Sequence, residues 1–559
     1  MHRLPQTIRA AILLVIVTGA TFSVQGPANG QWTRGRDNSP DDRLYEGSDP
    51  ARNVLRYKPT PLDVVLHPRR LRGLEERRAI RLRARSIELV RGASVLRRIP
   101  FDATGTRAFG AIVDKIQDPA WVERTERGEF LLRSAFVQAP RTSVLWRPPD
   151  VRLLRLAARP HVFLGGVEAR ATLNRVRVTS WNERTREPDR RLSDGRPFIS
   201  YGNESRLDII GARISSLGFD ATTAYGLAWR SGSTGSVVGS EIDYNFFGLY
   251  TFEAVNLEVR NNVFRDSVFY GIDPHDFSSG LLIEGNEAYR NGTHGIIFSK
   301  GVSDSIVRNN YSHHNGANGI VMDYESSGNL VTNNRVEHND GDGIVVLGSN
   351  RTVVRSNLVR ANRVGIRVNQ VSSGTSIVAN RIEANARGVE LYGGARETDL
   401  SGNRVADSSE AGMVLEAPST RSVGDSVVRS PVGIEVRSLV DISAARITRV
   451  GQGIEVTDRG IANLRGLRIQ AAHVGLQLAS DAIARLHESN IEAPEPIIGQ
   501  LRDALHNETS GAPRVWAWLP VAGVGFVIAA IGLEAMRHAR SKSDPSPAAA
   551  RSFVKQRSG

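Results

Sequence analysis

The sequence predicts an all-β fold, a right-handed parallel β-helix of about 12 or more coils, with a small N-terminal α/β region and a C-terminal transmembrane helix. Two periodic signals predict the β-helix, because a glycine followed by an apolar residue and an asparagine each recur every 20 to 24 residues. Each repeat also contains short β-branched runs separated by Asn and Gly, with no room for a two-turn helix.

The glycine signal predicts the first strand of each coil. Side chains alternate between the two faces of a strand, so the residue after each glycine should point into the core and the second and fourth residues outward. The twelve glycines that carry this signal are Gly226, Gly248, Gly271, Gly295, Gly319, Gly343, Gly365, Gly388, Gly412, Gly433, Gly453 and Gly475.

Two asparagine series predict turns that stack from coil to coil. Asparagine tolerates the left-handed turn conformation, and its amide can bind the amide of the next coil, so each series should form a ladder. The first series is Asn262, Asn286, Asn310, Asn334, Asn357, Asn380 and Asn403, and the second is Asn291, Asn315, Asn339, Asn362 and Asn385.

The repeat and the local composition divide the chain into segments. A helix is expected at residues 107–116, before the β-helix begins. The predicted segments are a signal peptide or N-terminal anchor (1–30), a polar linker (31–60), an N-terminal region of unknown role (61–128), the β-helix (129–489), a stalk (490–514), a transmembrane helix (515–536) and a basic cytoplasmic tail (537–559).

Both ends of the chain have features of membrane targeting. Two arginines precede a short apolar run at residues 10–17, which is the layout of a secretory signal. Residues 515–533 form a run of 19 residues without a charge, and a basic flank follows it. By the positive-inside rule this flank should be cytoplasmic, so the β-helix is expected outside the cytoplasm, at the cell surface or in the periplasm. The alternative is a buried helix of a globular domain.

Composition limits the possible sites and partners. The chain has no cysteine, which excludes disulfides and thiolate zinc sites, and its net charge of +13 favours polyanionic partners. Only 5 of the 72 basic residues are lysines, and Lys300 is the only lysine between Lys115 and Lys542. A compact ammonium at this position suggests a requirement for a point charge near a carboxylate.

Residues at one repeat offset should stack about 4.8 Å apart in successive coils. The fourth and fifth residues after each glycine should therefore form columns along the outer surface. One further outward aspartate lies two positions after Gly271, and together these positions predict a patch of ionisable side chains. Pro274 marks a bend in the middle of this patch, because proline interrupts strand pairing. The members of the predicted patch are Glu253, Asp273, His275, Asp276, Lys300, Asp323 and Tyr324.

The string Tyr-Gly-Ile-Asp-Pro-His-Asp at residues 270–276 resembles the signature of the mannuronan (alginate) C5-epimerases. The segments "SSLGFDATTAYGL" (215–227), "FGLYTFEAVNLEVRNNVFRDSVFYGIDPHD" (247–276) and "HGIIFSKGVSDSIVRNN" (294–310) are similar to the periplasmic type of these enzymes. The resemblance covers roughly residues 195–390. Lys300 departs from the pattern, since the periplasmic type usually has an arginine there; the charge is retained but bidentate carboxylate recognition is lost.

The resemblance implies a role for each residue. His275 would be the base that removes the C5 proton, Tyr270 or a bound water the acid, and Asp273 would orient the histidine. Lys300 would neutralise the uronate carboxylate. His294 could contact substrate or be a buried, satisfied histidine. The candidate substrate-binding residues are Glu253, Asp276, His294, Asp323, Tyr324 and Arg367. For Arg367, which belongs to a basic stretch, an ordinary solvated surface position is the alternative.

The implied reaction converts β-D-mannuronate to α-L-guluronate residues within an acidic polysaccharide. A polyuronate lyase that uses the same site, and a non-catalytic glycan-binding or copper-insertion-accessory β-helix, are the alternatives. No metal or cofactor is expected, although calcium stays open. The expected partners are a polyuronate, the membrane through the C-terminal helix, and polysaccharide synthesis or export machinery. A monomer without a nucleic-acid partner is expected.

Overall fold

The computed structural model describes residues 78–159, 162–192, 195–220, 224–457, 459–505 and 508–510. The predicted N-terminal signal or anchor, the linker, the transmembrane helix and the basic tail lie outside these residues. Within the described ranges, no helix is long and apolar enough to cross a membrane.

The predicted β-helix is confirmed. The chain winds into a right-handed parallel β-solenoid of about 16 turns, and its strands stack into three parallel sheets. Each full turn passes through a strand of sheet 1, then sheet 3, then sheet 2. Near the C-terminal end, Arg446–Val456 and Arg468–Leu478 each run without interruption from sheet 2 into the following strand of sheet 1.

Sheet 1 holds the strands that begin near the repeated glycines. Its strands are Ala135–Gln138, Phe163–Val167, Phe198–Gly202, Gly226–Arg230, Phe247–Phe252, Ile272–Asp273, Ile296–Ser299, Ile320–Asp323, Ile344–Leu347, Val364–Asn369, Arg387–Leu391, Ala411–Leu415 and Val432–Val436, then the second halves of the two long strands, and Glu495–Ile498.

Sheets 2 and 3 complete each turn. Sheet 2 consists of Glu129–Leu132, Leu153–Ala157, Arg177–Trp181, Arg213–Ser215, Glu241–Asp243, Val263–Arg265, Glu287–Tyr289, Tyr311–His313, Arg335–Glu337, Leu358–Arg360, Arg381–Glu383, Arg404–Ala406, Ser426–Val428, the first halves of the two long strands, Asn490–Glu492 and Glu508–Ser510. Sheet 3 consists of Thr106–Ala108, Ser143–Trp146, Arg170–Asn174, Arg206–Ile210, Thr234–Val238, Leu257–Arg260, Leu282–Glu284, Ile306–Arg308, Leu330–Thr332, Val353–Arg355, Ser376–Val378, Asp399–Ser401, Thr420–Val423, Leu439–Ser443, Ile461–Arg465, Ile483–His487 and Asp503–Leu505.

A helix and antiparallel strands close the N-terminal end of the solenoid. The predicted helix is confirmed as α1, Phe109–Ile116, and Phe109 is fully buried against the rings of Phe130 and Trp146. The antiparallel strands are Arg78–Arg83, Ser86–Arg91, Ser94–Pro100 and Val122–Glu126. Sheet 3 already starts at Thr106–Ala108, so the solenoid begins before the predicted boundary at residue 129.

At the C-terminal end the β-helix continues beyond the predicted boundary at residue 489. Asn490–Glu492 pairs with the preceding strand of sheet 2, and Glu495–Ile498 pairs with sheet 1. Ile491 is fully buried, so this coil keeps an apolar core although the glycine and asparagine signals have ended. The first part of the predicted stalk therefore belongs to the solenoid.

The glycine signal marks core packing as predicted. The residues that follow the glycines, such as Ile296 and Ile320, are completely buried. Full burial of such a side chain contributes about 1.5–3 kcal/mol. Glycine is needed at these corners because the next coil leaves no space. A Cβ atom on Gly319 would lie 2.2 Å from Val336 Cγ1.

Both asparagine ladders are confirmed. In the first series each amide nitrogen donates to the amide oxygen of the next asparagine at 2.9–3.0 Å, and the ladder ends where Asn403 donates to Asp425. The second series has the same bonds at 2.9–3.3 Å. The ladders hold successive coils in register, and this register aligns the outward side chains of sheet 1.

Candidate active site

The outward columns of sheet 1 bring the predicted patch together. His275 forms a parallel bridge with Ser299, and Ser299 pairs with Asp323 in the next coil. In the neighbouring column, Asp273 pairs with Tyr250 of the preceding coil. The coil spacing is about 4.8 Å, so these side chains belong to one continuous surface.

The backbone around Pro274 aims His275 out of the sheet. Strand Ile272–Asp273 ends before Pro274, which has no N–H for the ladder. The amide of His275 donates instead to Thr251 Oγ1 at 3.1 Å, and Ser278 Oγ donates to the His275 carbonyl at 2.8 Å. Two hydroxyl groups therefore replace the strand pairing that proline removes, and they hold the imidazole in place.

The imidazole shares one carboxylate with a phenol. His275 Nδ1 lies 2.6 Å from Asp276 Oδ2, and the Tyr250 hydroxyl donates to the same oxygen at 3.4 Å. His275 is only 7% exposed and Tyr250 is equally buried. In neutral His275, Nδ1 carries the hydrogen that faces Asp276, so Nε2 has the free lone pair.

Burial and neighbouring charges set the ionisation of this group. Burial opposes the imidazolium form, but the carboxylates of Asp273 and Asp276 outweigh it and raise the pKa of His275. Burial would also raise the pKa of Asp276, yet the hydrogen bond from His275 and the charges of His275 and Lys300 lower it. Burial, helped by the charge of Asp276, raises the pKa of Tyr250 well above its ordinary value, so this phenol keeps its proton.

Lys300 lies on the turn that follows the next strand of sheet 1. Its backbone has a φ of 58°, and its carbonyl accepts from the Phe277 amide at 2.9 Å. The positive charge of Lys300 opposes, without cancelling, the rise in the pKa of His275, and it contributes to the lowered pKa of Asp276. Asp273 is fully buried on the same face.

Tyr270 and His294 form a stacked pair beside the site. Their rings are parallel within 2°, with centroids 5.5 Å apart, and Tyr270 also packs on Phe247. His294 is 3% exposed, and its Nδ1 accepts from the Asn318 amide at 3.2 Å. These contacts agree with the interpretation of His294 as a buried, satisfied histidine.

The other predicted residues differ in accessibility. Asp323 is 5% exposed, whereas Tyr324 is 56% exposed at the edge of the patch. Glu253 lies one coil before His275, and its amide donates to the Asp276 carbonyl at 2.7 Å. The structure does not bring Arg367 to His275. Arg367 is 2% exposed several coils away, and its guanidinium forms an ion pair with Asp342, with 2.7 Å between Nε and Oδ2.

Tyr250 is a member of the site that was not among the predicted residues. Its position was available from the repeat, since Tyr250 and Asp273 both follow a signal glycine by two residues and occupy one column. What the repeat does not show is that the Tyr250 hydroxyl reaches Asp276. Among the residues that the structure describes, no group of three or more His, Asp or Glu side chains is arranged to hold a metal ion.

Comparisons with known proteins support the fold and the resemblance. Residues 198–341 and 323–427 match the family model described as a right-handed β-helix region. The mannuronan C5-epimerase of Pseudomonas putida is 30% identical over 200 residues, which cover 33% of this chain and 38% of that protein. The enzyme of Pseudomonas aeruginosa is 31% identical over 201 residues, covering 33% of this chain and 37% of that protein.

The solved structures agree in fold. The crystal structure of the periplasmic alginate epimerase AlgG is similar with a TM-score of 0.54 and 24% identity, covering 59% of this chain and 83% of that chain. The matches to the two Pseudomonas enzymes span less than two fifths of those proteins. The resemblance drawn from the motif is confirmed: this chain is a right-handed parallel β-helix protein that is similar, over about a third of its length, to mannuronan C5-epimerases.

Proposed function

We propose that this protein catalyses C5-epimerisation of mannuronate to guluronate residues within an acidic polysaccharide. The observation that carries the proposal is the buried His275–Asp276 pair next to Lys300 on an outward face of the solenoid. Abstraction of the C5 proton needs a positioned base and a positive charge that stabilises the enolate-like intermediate. Both groups are available in this patch, and the two Pseudomonas relatives are mannuronan C5-epimerases by name.

Lys300 is the group that we assign to the uronate carboxylate. The C5 proton is weakly acidic while the neighbouring carboxylate keeps its full negative charge. An ammonium beside that carboxylate stabilises the charge that moves onto its oxygens when the C–H bond breaks. Lys300 binds as a point charge and lacks the two-pronged geometry of arginine.

His275 Nε2 is the base in this proposal. Asp276 holds the Nδ1 hydrogen at 2.6 Å and so leaves the Nε2 lone pair toward the substrate side. The C5–H bond breaks, the proton moves to Nε2, and the electron pair passes into the enolate-like carboxylate. Asp273 and Asp276 both favour the resulting imidazolium, which lowers the cost of the transfer.

Tyr250 is the acid that we favour over Tyr270. A phenol with a raised pKa keeps its proton until a strong base such as the carbanionic C5 is presented. Tyr250 O–H would protonate C5 on the opposite face. Tyr250 and His275 both contact Asp276 Oδ2, so the Nδ1 proton of the imidazolium can pass through that carboxylate to the tyrosinate. Exchange with solvent then removes the proton from Nε2 and returns one to Nδ1, which restores the base.

The reaction also requires a polymer partner and a cellular location. A polyuronate is the expected partner, and the site is expected outside the cytoplasm, because the structurally similar alginate epimerase AlgG is a periplasmic protein. The uncharged run at residues 515–533 supports a membrane anchor, and polysaccharide synthesis or export machinery is a further expected partner.

The test is proton NMR of polymannuronate after incubation with the purified protein in deuterated water. Epimerisation gives guluronate signals and deuterium at C5 while the chain length is conserved. A lyase instead gives ultraviolet absorbance from unsaturated chain ends. The matched control is His275→Ala, which should bind the polymer without turnover. Absence of guluronate and of deuterium exchange at C5 with the unmodified protein would refute the proposal.

A further inference from the structure

Phe277 is an exposed aromatic residue in an unfavourable backbone conformation. Its side chain is 65% exposed, and its φ is 58°. A positive φ is rare for a bulky residue, and an exposed phenylalanine loses the benefit of burial. Other turns of the described solenoid also hold bulky non-glycine residues at positive φ, for example Val371 at 63°, so the exposed ring and not the φ value is the feature that calls for a function.

The neighbouring coil shows that glycine fits this turn position. Phe277 and Gly301 are aligned in successive coils, since the Phe277 amide donates to the Lys300 carbonyl and the Gly301 amide donates to the Tyr324 carbonyl, both at 2.9 Å. Gly301 has a φ of 80° and takes this conformation without strain. The fold therefore needs a left-handed residue here, and it does not need an aromatic one.

Gly301 also holds the Phe277 ring in place. A Cβ atom on Gly301 would lie 2.7 Å from Phe277 Cδ1, so the ring rests directly on the glycine. One coil further, Tyr324 is 56% exposed with a φ of 46°. Two exposed rings thus flank the turn that carries Lys300.

We propose that Phe277, with Tyr324, forms a stacking subsite for the pyranose rings next to the residue whose carboxylate binds Lys300. The inference rests on the proposed function for the identity of the polymer. An aromatic face offers a rigid apolar surface to the C–H face of a sugar, and the subsite complements the charged groups around His275. Phe277 acts as a positioning residue, because it lies outside the group of side chains that exchange protons.

The experiment compares Phe277→Ala, Phe277→Trp and Phe277→Gly, with Leu439→Ala as the control. Leu439 is 43% exposed on sheet 3, away from the patch. We expect Phe277→Ala to raise KM for polymannuronate about tenfold with little change in kcat, and Phe277→Trp to restore the original KM. Phe277→Gly should show the same KM defect while its unfolding temperature is unchanged or higher, since glycine relieves the positive φ.

A separate binding measurement distinguishes this inference from the proposed function. Polymannuronate binding is measured by calorimetry in a His275→Ala background, with and without Phe277→Ala. Tight binding that weakens when the Phe277 ring is removed supports the subsite, whether or not the protein epimerises the polymer. Equal binding in both variants, or a fall in unfolding temperature for Phe277→Gly, would overturn the subsite. No polymannuronate binding in either variant would overturn the proposed function as well.

Discussion

His275 Nδ1 and Asp276 Oδ2 lie 2.6 Å apart although the two residues are consecutive in the chain. Adjacent residues of a regular strand point to opposite faces, so this contact requires the strand to end. Strand Ile272–Asp273 ends before Pro274, and Asp276 takes a φ of 39°. The kink therefore produces a histidine–carboxylate pair that a continuous strand would separate.

The pair predicts a shift in the pH profile of Asp276→Asn. Asp276 favours the imidazolium form of His275, so its removal lowers the pKa of His275. A base must be neutral to act, and the rate rises as pH passes upward through this pKa. We therefore expect the acid limb of kcat/KM to move to lower pH in the variant. An acid limb that stays in place or moves to higher pH would contradict the assignment of His275 as the base.

Two variants of Lys300 test separately whether its charge and its shape matter for the reaction. Lys300→Met removes the ammonium, and we expect kcat to fall by about 10²-fold or more, the usual cost of losing one stabilising group for a developing negative charge. Lys300→Arg keeps the charge and should retain activity, with a changed KM because arginine binds carboxylates through two donors. Steady-state kinetics on polymannuronate gives both parameters. Equal activity of Lys300→Met and the unmodified protein would remove Lys300 from the mechanism.

Two tyrosines are available as the acid, and their phenylalanine variants separate them. Tyr250→Phe removes the hydroxyl that donates to Asp276, and we expect kcat to fall by about 10²-fold or more. Tyr270→Phe keeps the ring that stacks on His294 and should retain most activity. Guluronate formation is followed by NMR. The reverse order of activities would transfer the acid role to Tyr270.

The asparagine ladder predicts a stability effect away from the site. Asn310 donates to the Ile283 carbonyl and to Asn334, and it accepts from Asn286, all between 2.9 and 3.0 Å. Asn310→Ala leaves these buried groups without their partners, so we expect a loss of about 2 kcal/mol or more. Asn490→Ala, at an exposed position on sheet 2, should change stability by about 0.5 kcal/mol or less. Urea unfolding measures both, and equal midpoints would show that the ladder does not stabilise the solenoid.

The fold was more predictable from the sequence than the site was. The repeat of glycine and asparagine was sufficient for the strands, the ladders and the outward columns, because stacked coils convert a sequence offset directly into a spatial neighbour. The C-terminal coil at Asn490–Glu492 was not predicted, since backbone pairing and a buried Ile491 maintain the solenoid where the signal residues are absent.

Sequence alone was enough to place His275, Asp276 and Lys300 on one surface, because coil register depends only on the length of the repeat. Tertiary structure decided which of their neighbours are accessible and which are already bound. It connects Tyr250 to Asp276, engages Arg367 with Asp342, and buries His294 under the Tyr270 ring. The physical reason is that the partners of a side chain depend on the turn conformation and on burial. The length of the repeat predicts neither of these.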